Sequence, residues 1–287
     1  TLSPVVKKAY NEGAKSVEVL YPKFMNVINS DEYYYEALEV SQLGLLQEIN
    51  ELEDMPKLDI TLGSTKQYIP VSYAGRVSAS RLSWKFDRLN IIKQASAGLG
   101  KMAKKTPDVQ ITNYIEAGDD TYTTPDGQYV FSQTHINLAG GTYANRPAAY
   151  SDLSYTALND AYQAMAITKR HGVIPGNNSP KYIMFHPALA SKIHAILKSE
   201  KVPGGNNNDS NYYMDRLIPI ENNMFTNTKL WMLLSEKDMH ALNIIYWTNP
   251  QMIKWIKDSN QEMNWAVVTD YNFGAASGLG MYMQNPA

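Results

Sequence analysis

The residue best suited to chemistry in this sequence is His135, which ends the stretch DGQYVFSQTH ahead of a Gly-Gly pair. Asp119, Asp120 and Asp126 precede it closely, and a histidine beside carboxylates can act as a metal ligand or as a general acid and base. However, no second histidine or carboxylate follows at the spacing of a metal-ligand set. We therefore interpret His135 as a turn or loop histidine bonded to the backbone. A metal-dependent hydrolase that uses His135 with Asp119 or Asp120 is kept as an alternative.

The other candidates for catalysis or nucleotide binding carry weaker signals. His186 and His194 do not have the i, i+4 spacing of an HExxH zinc site. Gly98 and Gly100 lie inside a predicted helix rather than after a strand, so they do not predict a phosphate-binding loop. The segments GVIPGNN and VPGGNNNDSN lack the Lys-Ser/Thr pair of a nucleotide loop, and no G-x-S-x-G elbow occurs. We predict no catalytic residue, no metal ligand and no cofactor.

A small basic cluster lies near the end of that predicted helix, at Lys101, Lys104 and Lys105. It suits a phosphate backbone, but a charged run is more often a solvated face, and we favour the solvated face. Four tryptophans lie in predicted strands, where they fit a core or an interface better than base stacking: Trp231, Trp247, Trp255 and Trp265.

Composition limits the class of protein. Of the 287 residues 44% are hydrophobic and 19% are charged, and this length suggests two lobes or one elongated domain. The 26 basic and 28 acidic residues give a net charge of -2, unlike a dedicated nucleic-acid binder. The absence of cysteine excludes disulfides and thiolate chemistry. No apolar run reaches the length of a membrane span and no signal-peptide pattern follows Thr1, so we expect a soluble protein with no membrane partner.

The elements that would position these residues begin with a short helix and an extended segment. A weak helical stripe, formed by Val5, Val6, Tyr10, Ala14 and Val17, ends before Pro22. This helix has no obvious partner in the sequence, so we expect an arm that packs elsewhere. Alternation within residues 36–81 predicts strands with polar faces on both sides.

The segment DRLNIIKQASAGLGKMAKK, residues 87–105, predicts a long amphipathic helix. Glycine in a helix costs about 1 kcal/mol relative to alanine, so Gly98 and Gly100 predict close packing against another element. We expect Thr106 and Pro107 to stop this helix and to start a second one that ends at Gly118.

A further unit begins at Ser151. The stretch SYTALNDAYQAMAITKRHG predicts a helix that ends at Gly172, KYIMFHP predicts a short buried strand, and a second helix is expected to begin at Pro187. An Asn-rich loop at residues 202–211 precedes strands in RLIPIE, TKLWMLLSE, HALNIIYW and MNWAVVTDYNFGAASGLGMYM.

Several short motifs occur in a recognisable order. After the long helix come T-P-D-V (106–109), I-E-A-G (115–118) and DG-x-x-x-F-S-x-x-H (126–135), then S-D-L-S-Y-T-A-L-N-D-A, H-G-V-I-P, K-Y-I-M-F-H-P-A-L, T-K-L-W-M-L-L-S and T-D-Y-N-F-G-A-A…G-L-G-M-Y. This ordered set resembles the major capsid proteins of tailed bacteriophages, in particular the Mu-like major head subunits. The resemblance covers about residues 36–285.

The resemblance implies an α+β protein with the Hong Kong 97-type fold. It implies four parts: an amino-terminal arm (1–35), an extended loop (36–80), a peripheral domain with a long spine helix (81–150 and 250–287) and an axial domain (151–249). On this basis DGQYVFSQTH is a structural turn and strand beside the spine helix.

The function implied is that of a major capsid protein of the virion. Copies would assemble in the host cytoplasm as hexamers and pentamers into an icosahedral head, enclosing double-stranded DNA without sequence recognition, with portal, scaffold and decoration proteins as further partners. An encapsulin-type nanocompartment shell is the closest alternative. Some relatives crosslink through Lys and Asn, but we do not transfer that activity to Lys57 or Lys66 of the loop.

Overall fold

The computed structural model describes residues 4–50, 54–80, 82–83, 86, 90–172, 176, 178–204, 209–259 and 261–287. The chain divides into two compact units. The first unit comprises Thr1–Tyr35, Tyr68–Ile111 and Asn243–Gly274, and the second comprises Glu36–Gln67, Thr112–Leu242 and Ala275–Ala287.

Helices and strands are mixed along the described residues. The helices are α1 (Pro4–Lys15), α2 (Tyr21–Phe24), α3 (Ile91–Glu116), α4 (Tyr155–Ile167) and α5 (Ala190–Lys198), with 3-10 turns at Pro187–Leu189 and Lys237–Met239. The strands are β1 (Asn26–Asn29), β2 (Tyr35–Val40), β3 (Leu62–Tyr68), β4 (Val71–Ala79), β5 (His135–Ile136), β6 (Thr142–Tyr143), β7 (Tyr182–Phe185), β8 (Ile218–Glu221), β9 (Trp231–Leu234), β10 (Leu242–Lys257), β11 (Glu262–Ala275) and β12 (Met281–Gln284). Within the described ranges, no helix is both long and apolar enough to cross a bilayer.

The first unit is built on a four-stranded sheet in the order β1-β10-β11-β4. Strand β1 runs parallel to β10, and β11 pairs antiparallel with β4, placing Trp265 opposite Val77. Because side chains alternate between the faces of a strand, every second residue of β11 points to one face of the sheet. On that face Trp265 is fully buried in a core cluster with Val6 of α1 and Ile92 of α3.

Helix α1 packs on α3 through two glycines. A Cβ at Gly100 would collide with the carbonyl oxygen of Tyr10, and a Cβ at Gly13 would collide with that of Ala97. The expected close packing is therefore confirmed at Gly100, whereas a Cβ at Gly98 would meet nothing within 4 Å. The expectation that the first helix has no partner within the chain is wrong, because α1 packs on α3. The hydrophobic pattern does not reveal this pairing, since the contact depends on a glycine in each helix.

Helix α3 continues through Pro107, so the predicted stop at Thr106 and Pro107 is wrong. Proline removes one backbone hydrogen bond and usually disrupts a helix interior. Here Thr106 Oγ1 donates to the Met102 carbonyl at 2.7 Å. Asp108 accepts the backbone N–H of Tyr21 at 2.8 Å, and the buried positions continue at Ile111. Burial on both sides of the proline thus outweighs the lost bond.

The second unit contains a four-stranded sheet in the order β12-β9-β7-β8. Helices α4 and α5 pack with it in a core that includes Leu158, Ile193 and Trp231. The predicted strands at residues 182–185 and 231–234 are confirmed, and all four residues of β9 are buried. A run that is apolar on both faces is typical of such a covered strand.

The helix limits in this unit differ slightly from the prediction. Ser154 caps α4 by accepting the Ala157 N–H at 3.1 Å. The helix ends at Ile167 rather than near Gly172, because Thr168 is extended and its carbonyl accepts the Asn178 side chain at 2.9 Å. The helix expected at Pro187 begins there as a 3-10 turn before α5.

Strands β2 and β3 form a two-stranded ribbon. Just beyond these strands, the two segments of the ribbon remain hydrogen-bonded, since the Ser41 N–H donates to the Thr61 carbonyl at 2.9 Å. We call residues 43–50 and 54–60, which lie beyond this contact, the ribbon tip. The prediction of polar faces on both sides is wrong here. The exposed residues of the tip include Leu43, Leu45, Leu46, Ile49, Met55 and Ile60, and those of the adjoining strands include Leu38, Val40 and Leu62.

The two helix glycines provide a matched pair of substitutions. Gly100→Ala should lower the free energy of unfolding by about 1–3 kcal/mol, since overpacking forces the backbones of α1 and α3 apart. Gly98→Ala should raise it by roughly 0.5–1 kcal/mol, because alanine is the better helix former and the site is open. Urea unfolding of both variants measures the difference, and equal stabilities would contradict the close α1–α3 contact.

Candidate functional site

His135 is a fully buried side chain on β5. Its Nδ1 lies 2.8 Å from Asp126 Oδ2, and its Nε2 lies 3.3 Å from the Val130 carbonyl oxygen. The ring stacks on Tyr143 with a centroid distance of 5.0 Å. Both ring nitrogens therefore face protein acceptors, and the ring is not exposed to a substrate.

Asp126 organises the turn that precedes this strand. Oδ1 accepts the Thr124 hydroxyl at 2.5 Å and the Gln128 N–H at 3.1 Å. Gly127 has φ +80°, the left-handed conformation that glycine adopts most readily. Burial alone would raise the pKa of the Asp126 carboxyl, but hydrogen bonds from His135, Thr124 and Gln128 hold the pKa below its usual value. The carboxylate thus stays charged and fixes the turn.

Asn145 and Gly278 close the other side of the histidine. A Cβ at Gly278 would lie 2.5 Å from His135 Nε2. The Asn145 amide donates to the carbonyls of Val130 at 2.8 Å and Gly278 at 3.0 Å, and its oxygen accepts the Ser132 N–H at 2.7 Å. We call Asp126, His135, Asn145 and Gly278 the histidine cluster. It joins three separate segments of the second unit, and its geometry supports a structural function.

The carboxylates proposed with His135 for a hydrolase lie elsewhere. Asp119 accepts the Tyr150 hydroxyl at 2.6 Å, and Asp120 accepts the Thr121 hydroxyl at 2.7 Å. The described residues contain no group of three histidines and carboxylates placed to hold a metal ion. The structure therefore pairs His135 with Asp126, not with the residues of the hydrolase alternative.

The remaining sequence candidates also occupy structural positions. His186 Nδ1 accepts the Ala188 N–H at 3.0 Å and caps the 3-10 turn, whereas His194 lies on the exposed side of α5. Trp231 and Trp265 are fully buried, and Trp247 donates to the Glu32 carbonyl at 2.6 Å. Parts of GVIPGNN and VPGGNNNDSN, at residues 173–175, 177 and 205–208, lie outside the described residues.

The two lysines of the predicted loop differ in environment. Lys57 lies 2.7 Å from Asp59, and both side chains are exposed. Lys66 on β3 is partly buried, and burial lowers the pKa of its amine. Neither observation supplies a crosslinking partner.

A second buried histidine was missed by the sequence analysis. His171 has φ +46° and is nearly fully buried, with its Nε2 3.5 Å from Glu39 Oε1 on β2. Its carbonyl accepts the Gln42 N–H at 2.9 Å. His171 thus holds the base of the ribbon against the loop after α4. The sequence placed His171 at a helix end and gave no signal for a partner more than a hundred residues away.

Comparison with known proteins identifies the family. A model described as "Phage capsid protein" matches residues 63–283, which is most of the chain. The chain belongs to this phage capsid protein family. A comparison of the capsid protein with curated proteins gave no match.

Solved structures show the fold of the capsid protein at low sequence identity. The capsid of cyanophage P-SCSP1u is 12% identical over 94% of this chain and 88% of that chain, with a TM-score of 0.64. The capsid of bacteriophage JBD30 decorated with minor capsid protein trimers is 14% identical over 73% and 92%, with a TM-score of 0.58. A virus-like particle from Pyrococcus furiosus is 9% identical over 98% of both chains, with a TM-score of 0.56. The α+β, Hong Kong 97-type fold implied by the motifs is confirmed.

These matches confirm the predicted role of a major capsid protein, which is a self-associating component of the virion capsid. The encapsulin-type alternative has a related fold, but the matching family model is one of phage capsids, so this alternative is not favoured. The histidine cluster therefore belongs to the architecture of a shell subunit.

The histidine cluster predicts a stability that depends on pH. Asp126→Asn should lower the free energy of unfolding at neutral pH by about 1.5–3 kcal/mol, the usual contribution of a hydrogen bond to a charged group. The folded-state pKa of Asp126 lies below the unfolded value of about 3.9, so its contribution is present above that value and is lost as pH falls.

The measurement is urea unfolding at several pH values. The wild-type protein should lose more stability than Asp126→Asn between about pH 5 and pH 3. The control is Asp59→Asn, which removes an exposed ion pair and should change stability by less than about 1 kcal/mol. A parallel acid dependence in wild type and Asp126→Asn would rule out the assigned role of this carboxylate.

Proposed function

We propose that copies of this capsid protein assemble as hexamers and pentamers into an icosahedral head that encloses double-stranded phage DNA. The observation that supports this most directly is the ribbon tip, where Leu45 is 62% exposed, Leu46 is 88% exposed and Met55 is 85% exposed. Two strands alone are marginally stable in water, and several large apolar side chains exposed along one short segment favour an interaction site. A second copy of the chain is the proposed cover for the ribbon tip.

The proposal divides the chain as the resemblance does, into an arm at 1–35, an extended loop at 36–80, a peripheral domain at 81–150 and 250–287, and an axial domain at 151–249. The boundary of the compact units between Tyr35 and Glu36 supports the start of the extended loop. Arms and loops that change conformation would let one sequence occupy both hexamers and pentamers.

The finer assignments are also proposals. The motif DG-x-x-x-F-S-x-x-H favours the Mu-like branch, and assembly would take place in the host cytoplasm with portal, scaffold and decoration proteins. The capsid of bacteriophage JBD30 is decorated with minor capsid protein trimers, which supports a decoration partner for this chain. We assign no catalytic residue, metal or cofactor, since the buried geometry of His135 favours a purely structural role.

The ribbon tip provides a test of assembly. The double substitution Leu45→Ser and Leu46→Ser should leave folding intact, because both side chains are exposed in the single copy. Burial of each leucine contributes about 1.5–3 kcal/mol, so assembly should need at least about a tenfold higher protein concentration. The control, Leu45→Met with Leu46→Met, keeps the apolar surface and should assemble as wild type does. Negative-stain microscopy and sedimentation detect closed shells. Assembly of the serine variant at the wild-type concentration would contradict the proposed contact.

A further inference from the structure

Helices α1 and α3 carry an excess of positive charge that the whole chain lacks. Across these two helices, every residue of which the structure describes, seven lysines occur with three carboxylates, a net charge of +4. The complete chain has a net charge of -2. We call the seven lysines the lysine face: Lys7, Lys8, Lys15, Lys93, Lys101, Lys104 and Lys105. The sequence showed its α3 part only as a small cluster.

Two of the three carboxylates are engaged by backbone groups. Asp108 is buried and accepts the N–H groups of Leu20 and Tyr21 at 2.8–3.1 Å. Glu116 accepts the N–H groups of Thr226 and Asn227. Only Glu12 remains on the exposed surface of the two helices as described, where it lies 3.9 Å from Lys8. The exposed charge of this surface is therefore almost entirely positive.

The packing of α1 on α3 brings the two lysine-bearing helices together. The contact at Gly100 places the α1 and α3 backbones side by side. The buried residues of α1 include Val6 and Tyr10, whereas Lys8 and Lys15 are exposed on the opposite side of that helix. On α3, Lys101 and Lys105 are one turn apart and follow a different stripe from buried Ile92 and Ser96. Of the α3 lysines, Lys93 and Lys101 are exposed, whereas Lys104 and Lys105 are half-buried.

The chemistry of this surface fits a phosphate backbone. From Lys93 to Lys105 the helix extends about 18 Å, and duplex DNA carries one charge per roughly 1.7 Å of its axis. Lysine is a flexible point charge without the planar fork that arginine uses for bidentate base recognition. Contacts of this kind give affinity without reading the sequence.

We propose that the lysine face of α1 and α3 contacts the phosphate backbone of packaged double-stranded DNA. This inference rests on the proposed function as a DNA-enclosing shell and names the surface of each subunit that meets the DNA. It also changes the interpretation of the Lys101 cluster, which the sequence analysis favoured as a solvated face.

The test measures binding of the purified full-length protein to a random-sequence DNA duplex over a range of salt concentrations. The first variant combines Lys101→Gln, Lys104→Gln and Lys105→Gln. The matched control combines Lys192→Gln, Lys198→Gln and Lys201→Gln, which removes the same charge from exposed positions in and after α5. Three lost phosphate contacts should reduce the slope of log affinity against log salt by about 2–3 and weaken binding at least tenfold near about 0.1 M salt. The control should bind as wild type does.

Two results would overturn the inference. The first is equal DNA affinity of the first variant and wild type. The second is an equal loss of DNA affinity in the first variant and the control, because this would mean that only net charge matters. Thermal melting checks that each variant folds. If the glutamine variant does not fold, the test uses the variant Lys101→Arg, Lys104→Arg and Lys105→Arg, which keeps the charge and should bind DNA as wild type does. Loss of DNA binding by this arginine variant, when it is folded, would also refute the proposal.

Two further measurements separate this inference from others. If the first variant loses binding to polyglutamate but binds DNA as wild type does, the surface is assigned to an acidic protein segment. That result would overturn the proposal. Shell formation by the wild-type protein is scored independently by microscopy. Shells with an unaffected DNA interaction in the lysine variant would refute only the lysine face, whereas absence of wild-type shells would refute the proposed function.

Discussion

The constraint on which this protein depends is that apolar surface must be removed from water, and one copy of the chain removes only part of it. The sheets and helices bury Trp231, Trp265 and Leu158 completely, yet the ribbon tip leaves Leu45 and Leu46 in solvent. Apolar side chains of this size gain about 1.5–3 kcal/mol each on burial. A subunit that leaves them exposed is therefore suited to association, and the family to which it belongs consists of phage capsid proteins.

The groups that could do chemistry are used to fix loops. His135 and Asp126 have the residue types and the distance of a catalytic pair, but Tyr143, Asn145 and Gly278 enclose the ring. A general base needs access to the proton that it removes, and the buried ring lacks such access. His171 fixes a second loop differently: its Nδ1 accepts the Leu138 N–H at 3.4 Å, and its Nε2 lies 3.5 Å from Glu39 without a hydrogen bond. Buried polar groups that are well satisfied specify one arrangement of irregular segments, which suits a subunit with long connections between its strands.

Local signals predicted the regular elements well and the contacts between them less well. The apolar run around Trp231 indicated a covered strand, and the structure has β9 there. Pro107 is locally a signal for the end of a helix, but the prediction was wrong, because burial at Ile111 and the hydrogen bonds to Asp108 accompany a helix α3 that continues through it. Gly98 and Gly100 could not be distinguished by sequence, since the difference depends on which side of α3 the first helix lies.

The sequence by itself determined the class of the protein, because hydrophobic periodicity, turn residues and the order of short motifs are local properties that survive at low identity. It also determined the lack of thiol chemistry and the near-neutral net charge. Only the tertiary structure decided that Asp126 rather than Asp119 meets His135, that Glu39 lies beside His171, and that the lysine-bearing helices α1 and α3 pack on each other. The physical reason is that these contacts join residues distant along the chain, and their partners are chosen by packing, which no local pattern encodes.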